Sequence, residues 1–297
     1  MQRTAFVVIL AIGAFGVILI WHSGGRTVTS TGENRTTTSS DGTVIAFTKR
    51  GSGPPLIIVD GAFCYRENGP ATELAMLLAQ RFTVFTYDRR GRGQSGDTPP
   101  YAVEREIDDL RALTREAGAV PFVLGISSGA ALALQAVASG MGARELALYE
   151  PPFLADGNGP RSFKDARNRL QSFVSAGDRA GAVRFFLTDV YGAPRVFALA
   201  MPLLMPNAWK RNKLVVHTAP YDLTILEDRS VLKERSSSIS VPTLVIGGDK
   251  SPEGLRHAVS VVANALPNGK SRLLFGQDHN VSGPALVPVL FEYFGTS

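Results

Sequence analysis

Residues 121–138 read PFVLGISSGAALALQAVA, a short apolar run, then a glycine-flanked serine pair, then an alanine-rich helical run. Gly125, Ser127 and Gly129 fit the pattern G-x-S-x-G between a predicted strand and a predicted helix. Glycines suit both flanks, because the turn is strained and neighbouring backbone leaves no room for side chains. The pattern predicts that the Ser127 hydroxyl projects above the strand end and that the N–H of Ser128 points to the same place. The alternative is a plain strand–helix turn rich in small residues.

Short apolar runs alternate with helical patterns along most of the chain. Strands are predicted at residues 43–48, 56–59, 82–87, 122–126, 146–149, 243–246 and 272–275. Helices are predicted at residues 71–81, 103–117, 129–138, 254–266 and 284–293. Apolar strands that alternate with helices indicate a parallel sheet covered on both faces. The predicted class is therefore α/β with a mostly parallel, doubly wound sheet, and a helical cap is inserted at about residues 153–240.

His279 is the candidate partner of Ser127, because a serine hydroxyl is a weak nucleophile that needs a general base. It follows the last predicted strand, at the edge where the loops of a parallel sheet build sites. His22 falls in the N-terminal segment, His217 in the cap and His257 in a helix. The alternative for His279 is an ordinary surface-loop histidine.

Residues 88–95, DRRGRGQS, resemble the D-x-R-G-x-G-x-S segment of the α/β-hydrolase superfamily. Together with the serine motif and His279, they extend the resemblance over about residues 41–297. Asp60 stands where that family usually has a histidine before its oxyanion residue. The resemblance implies that the backbone N–H groups of Ala62 and Ser128 form an oxyanion hole. Each such donor is worth roughly 2.7–4 kcal/mol to the transition state.

Two residues compete for the acid that would orient His279 and stabilise its charged form. Asp249 follows the strand at residues 243–246. The family's usual spacing, laid over residues 248–252, places Ser251 at the acid position and Asp249 two residues earlier. Some branches of the superfamily take the acid from the end of the preceding strand, which here is Glu150.

A serine in the nucleophile position argues, by resemblance, against the epoxide-hydrolase and dehalogenase branches, which use aspartate. The expected activity is cleavage of a small ester, lactone or thioester through an acyl-enzyme, without cofactor or metal. Six apolar cap residues are expected to roof the pocket: Phe185, Phe186, Phe197, Leu203, Leu204 and Met205. The rivals are a haloperoxidase-like reaction with peroxide on the same triad, and a non-catalytic binding protein with this fold.

Composition excludes several other classes. The chain is 44% hydrophobic and 19% charged, which is incompatible with intrinsic disorder. Its net charge of +5 includes three arginines and one glutamate within residues 1–40. The remaining residues carry only a small positive excess and no basic run, which argues against a nucleic-acid partner. Four histidines and one cysteine make a structural zinc site unexpected.

The N-terminal segment contains a long apolar run. Residues 5–21, AFVVILAIGAFGVILIW, contain no charge and would span roughly 26 Å as a helix. This run is longer than a usual signal-peptide core and a little short of a bilayer core of about 30 Å. Residues 1–25 are therefore interpreted as an uncleaved membrane anchor or a signal peptide, with a buried core helix as the least favoured alternative. Residues 26–40 are expected to be a flexible linker, and the hydrolase domain at 41–297 to be exported, membrane-anchored or secreted.

Overall fold

The computed structural model describes residues 32–153, 162–227 and 232–295. Its strands are β1 Glu33–Thr38, β2 Val44–Arg50, β3 Pro55–Val59, β4 Thr83–Tyr87, β5 Phe122–Ile126, β6 Leu146–Tyr149, β7 Thr243–Gly248 and β8 Gly269–Leu274. Its α-helices are α1 Ala71–Leu78, α2 Val103–Ala117, α3 Ser128–Ala138, α4 Phe163–Ser175, α5 Arg179–Phe185, α6 Arg195–Leu204, α7 Pro206–Val215, α8 Ala219–Glu227, α9 Glu253–Ala265 and α10 Gly283–Phe294.

The strands form one eight-stranded sheet in the order β1-β2-β4-β3-β5-β6-β7-β8. β2 pairs antiparallel with both β1 and β4, and every other pair is parallel. All residues of β5, β6 and β7 are buried, as expected for central parallel strands that are covered on both faces. The predicted α/β class with a mostly parallel sheet is confirmed.

Side chains alternate between two hydrophobic cores on opposite faces of the sheet. Along β5, Val123 belongs to the core that includes α2, α3 and α9, whereas Phe122 and Leu124 belong to the core of α1 and α10. Full burial of one such side chain stabilises the fold by roughly 1.5–3 kcal/mol. The carboxyl ends of β3, β5, β6, β7 and β8 therefore meet at one edge of a rigid scaffold.

The prediction of a flexible linker over residues 26–40 is wrong for Glu33–Thr38, which form β1. This strand pairs with β2 from Glu33↔Lys49 to Thr38↔Val44. Its composition is polar because an edge strand is exposed, while its three consecutive threonines are β-branched and suit a strand. The rest of the predicted linker, and the anchor or signal peptide at residues 1–25, lie outside the described residues. Within the three described ranges, no helix has the length and apolar character needed to cross a membrane.

The helices α4–α8 lie between β6 and β7 in chain order, the interval where the sequence predicts a cap. A π-helical turn, Phe186–Val190, follows α5 directly. α8 packs against α4 within the cap and against α3 of the core. This contact places the cap over the end of β5.

Candidate active site

Ser127 occupies a sharp turn between β5 and α3. Its φ of 56° and ψ of −127° lie in a strained region for a residue with a side chain. A Cβ on Gly125 would stand 2.5 Å from the Cα of Ala130, and one on Gly129 would stand 2.2 Å from the carbonyl oxygen of Val59. Only glycine fits both positions, so the G-x-S-x-G pattern reflects packing around the turn.

His279 lies in the loop between β8 and α10, and its ring bridges two side chains. Its Nε2 is 3.1 Å from the Oγ of Ser127, and its Nδ1 is 2.7 Å from the Oε2 of Glu150. Both distances are within hydrogen-bonding range. The structure thus brings together three of the predicted site residues, which come from the ends of β5, β6 and β8.

Glu150 follows β6 and is completely buried. Its φ is +45°, a left-handed conformation, and its N–H donates to the carbonyl of Ile246 at 2.8 Å. Oε1 accepts hydrogen bonds from the N–H of Gly248 at 2.7 Å and from the hydroxyl of Ser251 at 2.5 Å. These two donors leave Oε2 for His279 and hold the carboxylate in one orientation.

Asp249, the other candidate acid, makes a different contact. Its Oδ1 accepts a hydrogen bond from the N–H of Gly276 at 2.7 Å, and its own N–H donates to the carbonyl of Leu274. Asp249 therefore ties the loop after β7 to the end of β8 and does not bond to His279. Ser251, at the usual acid position of the resemblance, donates to Glu150 instead.

The loop after β3 lies directly against Ser127. A Cβ on Gly61 would be 3.0 Å from the Cβ of Ser127, so a larger residue would have to push Ser127 away by a few tenths of an ångström. Ala62 lines a cavity together with Ser127 and Ser128. Ser128 is the first residue of α3, where backbone N–H groups have no acceptor within the helix. Both residues predicted for an oxyanion hole are therefore beside the Ser127 hydroxyl.

Asp60, which stands at the family's histidine position, is buried behind this loop. Its Oδ1 accepts a hydrogen bond from the N–H of Gly61 at 3.2 Å. Burial raises the pKa of Asp60 to about 7, against the lowering effects of that hydrogen bond and of Arg92. The site thus contains a carboxyl group that titrates near neutrality and does not contact His279.

A buried charge network, which the sequence analysis missed, connects the cap to this site. Asp222 on α8 accepts hydrogen bonds from the hydroxyl of Ser128 at 2.8 Å, from Arg89 at 2.6 Å and from Arg92 at 2.6 Å. Arg92 also donates to the carbonyl of Gly61 at 2.6 Å. Burial alone would raise the pKa of Asp222, but the two guanidinium groups lower it on balance. The DRRGRGQS segment signals the arginines, whereas nothing in the sequence marks Asp222.

The cavity above Ser127 lies between the cap and the sheet edge and is mostly apolar. Its walls include Phe163, Phe186, Val190, Tyr191, Leu223, Leu226 and Leu255, and its two acids are Asp222 and Asp278. Of the six apolar residues expected to roof it, Phe186 lines it. Leu203 and Leu204 are instead exposed, because α6 turns that face to solvent. No cluster of three or more His, Cys, Asp or Glu within the described ranges is arranged to hold a metal ion.

Sequence comparison agrees with this architecture. The profile of the alpha/beta hydrolase family matches residues 51–287, and the chain belongs to that family. An alpha/beta hydrolase from Sphaerobacter thermophilus is 45% identical, with a TM-score of 0.81 over 88% of this chain and 100% of that chain. A hydrolase from Pseudomonas aeruginosa is 19% identical, with a TM-score of 0.71 over 88% and 98% of the two chains.

The uncharacterized hydrolase YraK of Bacillus subtilis is 36% identical over 108 residues. That match spans 34% of this chain and 38% of the relative. Fold and sequence together place the chain in the alpha/beta hydrolase family.

Proposed function

We propose that the protein is a serine hydrolase that cleaves a small carboxylic ester, lactone or thioester through a Ser127–His279–Glu150 triad. The observation that carries this proposal is the His279 ring, 3.1 Å from the Ser127 hydroxyl on one side and 2.7 Å from the Glu150 carboxylate on the other. A hydroxyl, an imidazole and a buried carboxylate in this order are the groups that acyl transfer requires.

In the proposed mechanism, Nε2 of His279 takes the Ser127 proton while Oγ attacks the acyl carbon. The backbone N–H groups of Ala62 and Ser128 stabilise the negative charge that develops on the acyl oxygen. His279 then protonates the leaving alcohol or thiol, and an acyl-enzyme remains. Water, deprotonated by His279, attacks this intermediate, and His279 returns the proton to the Oγ of Ser127 as the bond to the acyl carbon breaks and the acid leaves. Glu150 keeps Nδ1 protonated and stabilises the imidazolium ion throughout.

The cavity favours an uncharged, apolar acyl or alcohol group. Its polar groups are concentrated at Ser127, Ser128 and His279, and aliphatic and aromatic side chains line the remaining walls. Asp222 is already paired with two arginines, and Asp278 is the other acid at the wall. A carboxylate substrate would therefore meet no unpaired positive partner among these lining residues.

The proposal is tested with a panel of p-nitrophenyl esters of short to long acyl chains and with a fluorophosphonate probe. The wild-type chain is expected to hydrolyse esters and to be labelled, and Ser127→Ala to lose labelling and at least about 10⁴-fold in kcat. Ser282→Ala, which removes a serine hydroxyl near the N-terminus of α10, is the matched control. A wild-type chain inert to both reagents would favour the binding-protein alternative, and activity restored only by peroxide would favour the haloperoxidase-like one.

A further inference from the structure

The outward face of α6 is apolar. Val196, Leu199 and Leu203 follow the i, i+3, i+7 spacing of one helix face, and Leu204 lies beside them. Together with Leu214 on α7, these side chains are between 60% and 87% exposed. Ala198 and Met201, on the opposite face of α6, are buried. A helix with apolar side chains on both faces buries one face in the protein and exposes the other to water, unless a binding partner covers it.

The outward face of α7, the helix that follows and contacts α6, carries positive charge. Lys210, Lys213 and Leu214 are three and four residues apart and share one face of α7, and the Nζ of Lys213 lies 5.9 Å from the ring centroid of the buried Trp209. Arg179, at the start of α5, lines the same shallow depression as Lys210, Lys213 and Leu214. It also donates to the carbonyl of Lys213 at 3.1 Å, which fixes the guanidinium near α7.

The charged residues of α6 and α7 are all basic. Residues 195–215, which include both helices, contain Arg195, Lys210, Arg211 and Lys213 and no acid. The acid in the depression is Asp178, whose carboxylate caps α5 by accepting the N–H of Gly181 at 2.7 Å. Three cations and one acid leave the depression with a net positive charge, and apolar side chains beside such a charge are complementary to a lipid surface that carries negative headgroups.

We propose that Val196, Leu199, Leu203, Leu204 and Leu214, with Arg179, Lys210 and Lys213, form a docking surface for a membrane containing anionic lipids. The leucines enter the acyl-chain boundary and the cations meet phosphate groups. The assignment does not depend on the proposed triad, because none of these residues lines the cavity above Ser127.

Two features of the chain fit this orientation. Ala193 and Pro194 line the cavity and immediately precede α6, so docking of α6 holds the cap wall of the cavity beside the lipid. The apolar segment at residues 5–21 is separated from β1 by residues 22–32. Those residues reach at most roughly 40 Å when extended, so a membrane-inserted segment would keep the start of β1 within that distance of the same bilayer.

The test uses the full chain with a polarity-sensitive fluorophore on Leu203→Cys. Val120→Cys is the matched control, because Val120 is also an exposed apolar residue but precedes β5, at the opposite end of that strand from Ser127. Wild-type protein, whose single cysteine, Cys64, is buried, reports background labelling. Each protein is reconstituted with vesicles of phosphatidylcholine alone or mixed equally with phosphatidylglycerol, with and without a lipid-borne quencher. Residues 5–21 are present in both labelled variants. A difference between the responses at positions 203 and 120 therefore does not come from that segment.

On the mixed vesicles, the emission of the fluorophore at position 203 is expected to shift to the blue and to be reduced by the lipid-borne quencher. The fluorophore at position 120 is expected to remain in water and to show neither change. The response is expected to weaken on pure phosphatidylcholine and at high salt. Lys210→Gln with Lys213→Gln should weaken the contact by roughly fivefold per cation. Equal responses at 203 and 120, or equal responses on both vesicle types, would overturn the proposal. A blue shift without lipid that grows with protein concentration would also overturn it, in favour of a second copy of the chain.

Discussion

At the scale of single residues, Glu150 and Asp249 differ in the contacts that their carboxylates make. Glu150 is oriented by the N–H of Gly248 and the hydroxyl of Ser251, and its free oxygen faces His279. Because burial prevents water from solvating this carboxylate, its orientation depends on these few donors.

Glu150→Gln is expected to lower kcat for p-nitrophenyl esters by about 10³–10⁴-fold, because an amide cannot stabilise the imidazolium ion. Asp249→Asn is expected to retain kcat within a few-fold, since its carboxylate bonds to Gly276. Steady-state kinetics of both variants, with thermal melts to verify folding, is the measurement. A greater loss in Asp249→Asn would assign the acid to Asp249.

Ser251→Ala is expected to act through Glu150 and to lower kcat by roughly tenfold with little change in KM. A hydrogen bond to a charged group is worth about 1.5–3 kcal/mol, and only part of that loss reaches the transition state. The bond from Gly248 remains, so the carboxylate is loosened without losing all its partners. Ser251→Thr, which keeps a hydroxyl, should recover most of kcat, and failure to do so would point to packing instead.

At the scale of elements, the sequence predicts most of the sheet and little of the cap. The strands β5 and β6 have the predicted bounds, because apolar runs this short are typical of buried strands and too short for a helix. The sequence does not predict β1, because an exposed edge strand lacks the hydrophobic pattern that identifies buried strands. Ser127 and His279 were predicted from their places after strands, whereas the choice between Glu150 and Asp249 depends on side-chain directions that spacing does not encode.

The cap helix α8 contacts Ser128 through Asp222 and, by way of Arg92, the carbonyl of Gly61, so its effect on ester hydrolysis can be tested. Asp222→Asn is expected to destabilise the fold by about 3 kcal/mol or more, because Arg92 loses its buried ion pair. It is also expected to lower kcat more than it raises KM, since the support of Ser128 and Gly61 weakens.

Glu227→Gln provides the matched control on the same helix. The ion pair between Glu227 and Arg167 is partly exposed and should contribute less than about 1 kcal/mol. Urea unfolding and ester kinetics of both variants give the comparison. Similar stabilities for the two variants would show that the buried network contributes little.

At the scale of the whole molecule, Asp60 makes global stability depend on pH. The pKa of Asp60 is raised to about 7 by burial, whereas an aspartate in the unfolded chain has a pKa of about 3.9. The folded state therefore binds more protons than the unfolded state between these values. The contribution of Asp60 to the free energy of unfolding is consequently full below about pH 4 and declines as pH rises through 7.

Asp60→Asn removes this titration and keeps an acceptor for the N–H of Gly61. Wild type and variant are expected to differ little at pH 4, and the variant is expected to be more stable by a few kcal/mol at pH 8. Urea unfolding at both pH values measures the difference. The same difference at pH 4 and pH 8 would mean that Asp60 does not change its charge on folding.

The ion pairs of Asp222 also restrict how molecules enter and leave. An outward swing of α8 would separate one buried carboxylate from Arg89 and Arg92 together, a cost of several kcal/mol at every turnover. Helix α8 is therefore expected to keep its position throughout the reaction cycle. Substrate and product are therefore expected to enter and leave the cavity without displacement of α8, and a bulky product is expected to slow turnover.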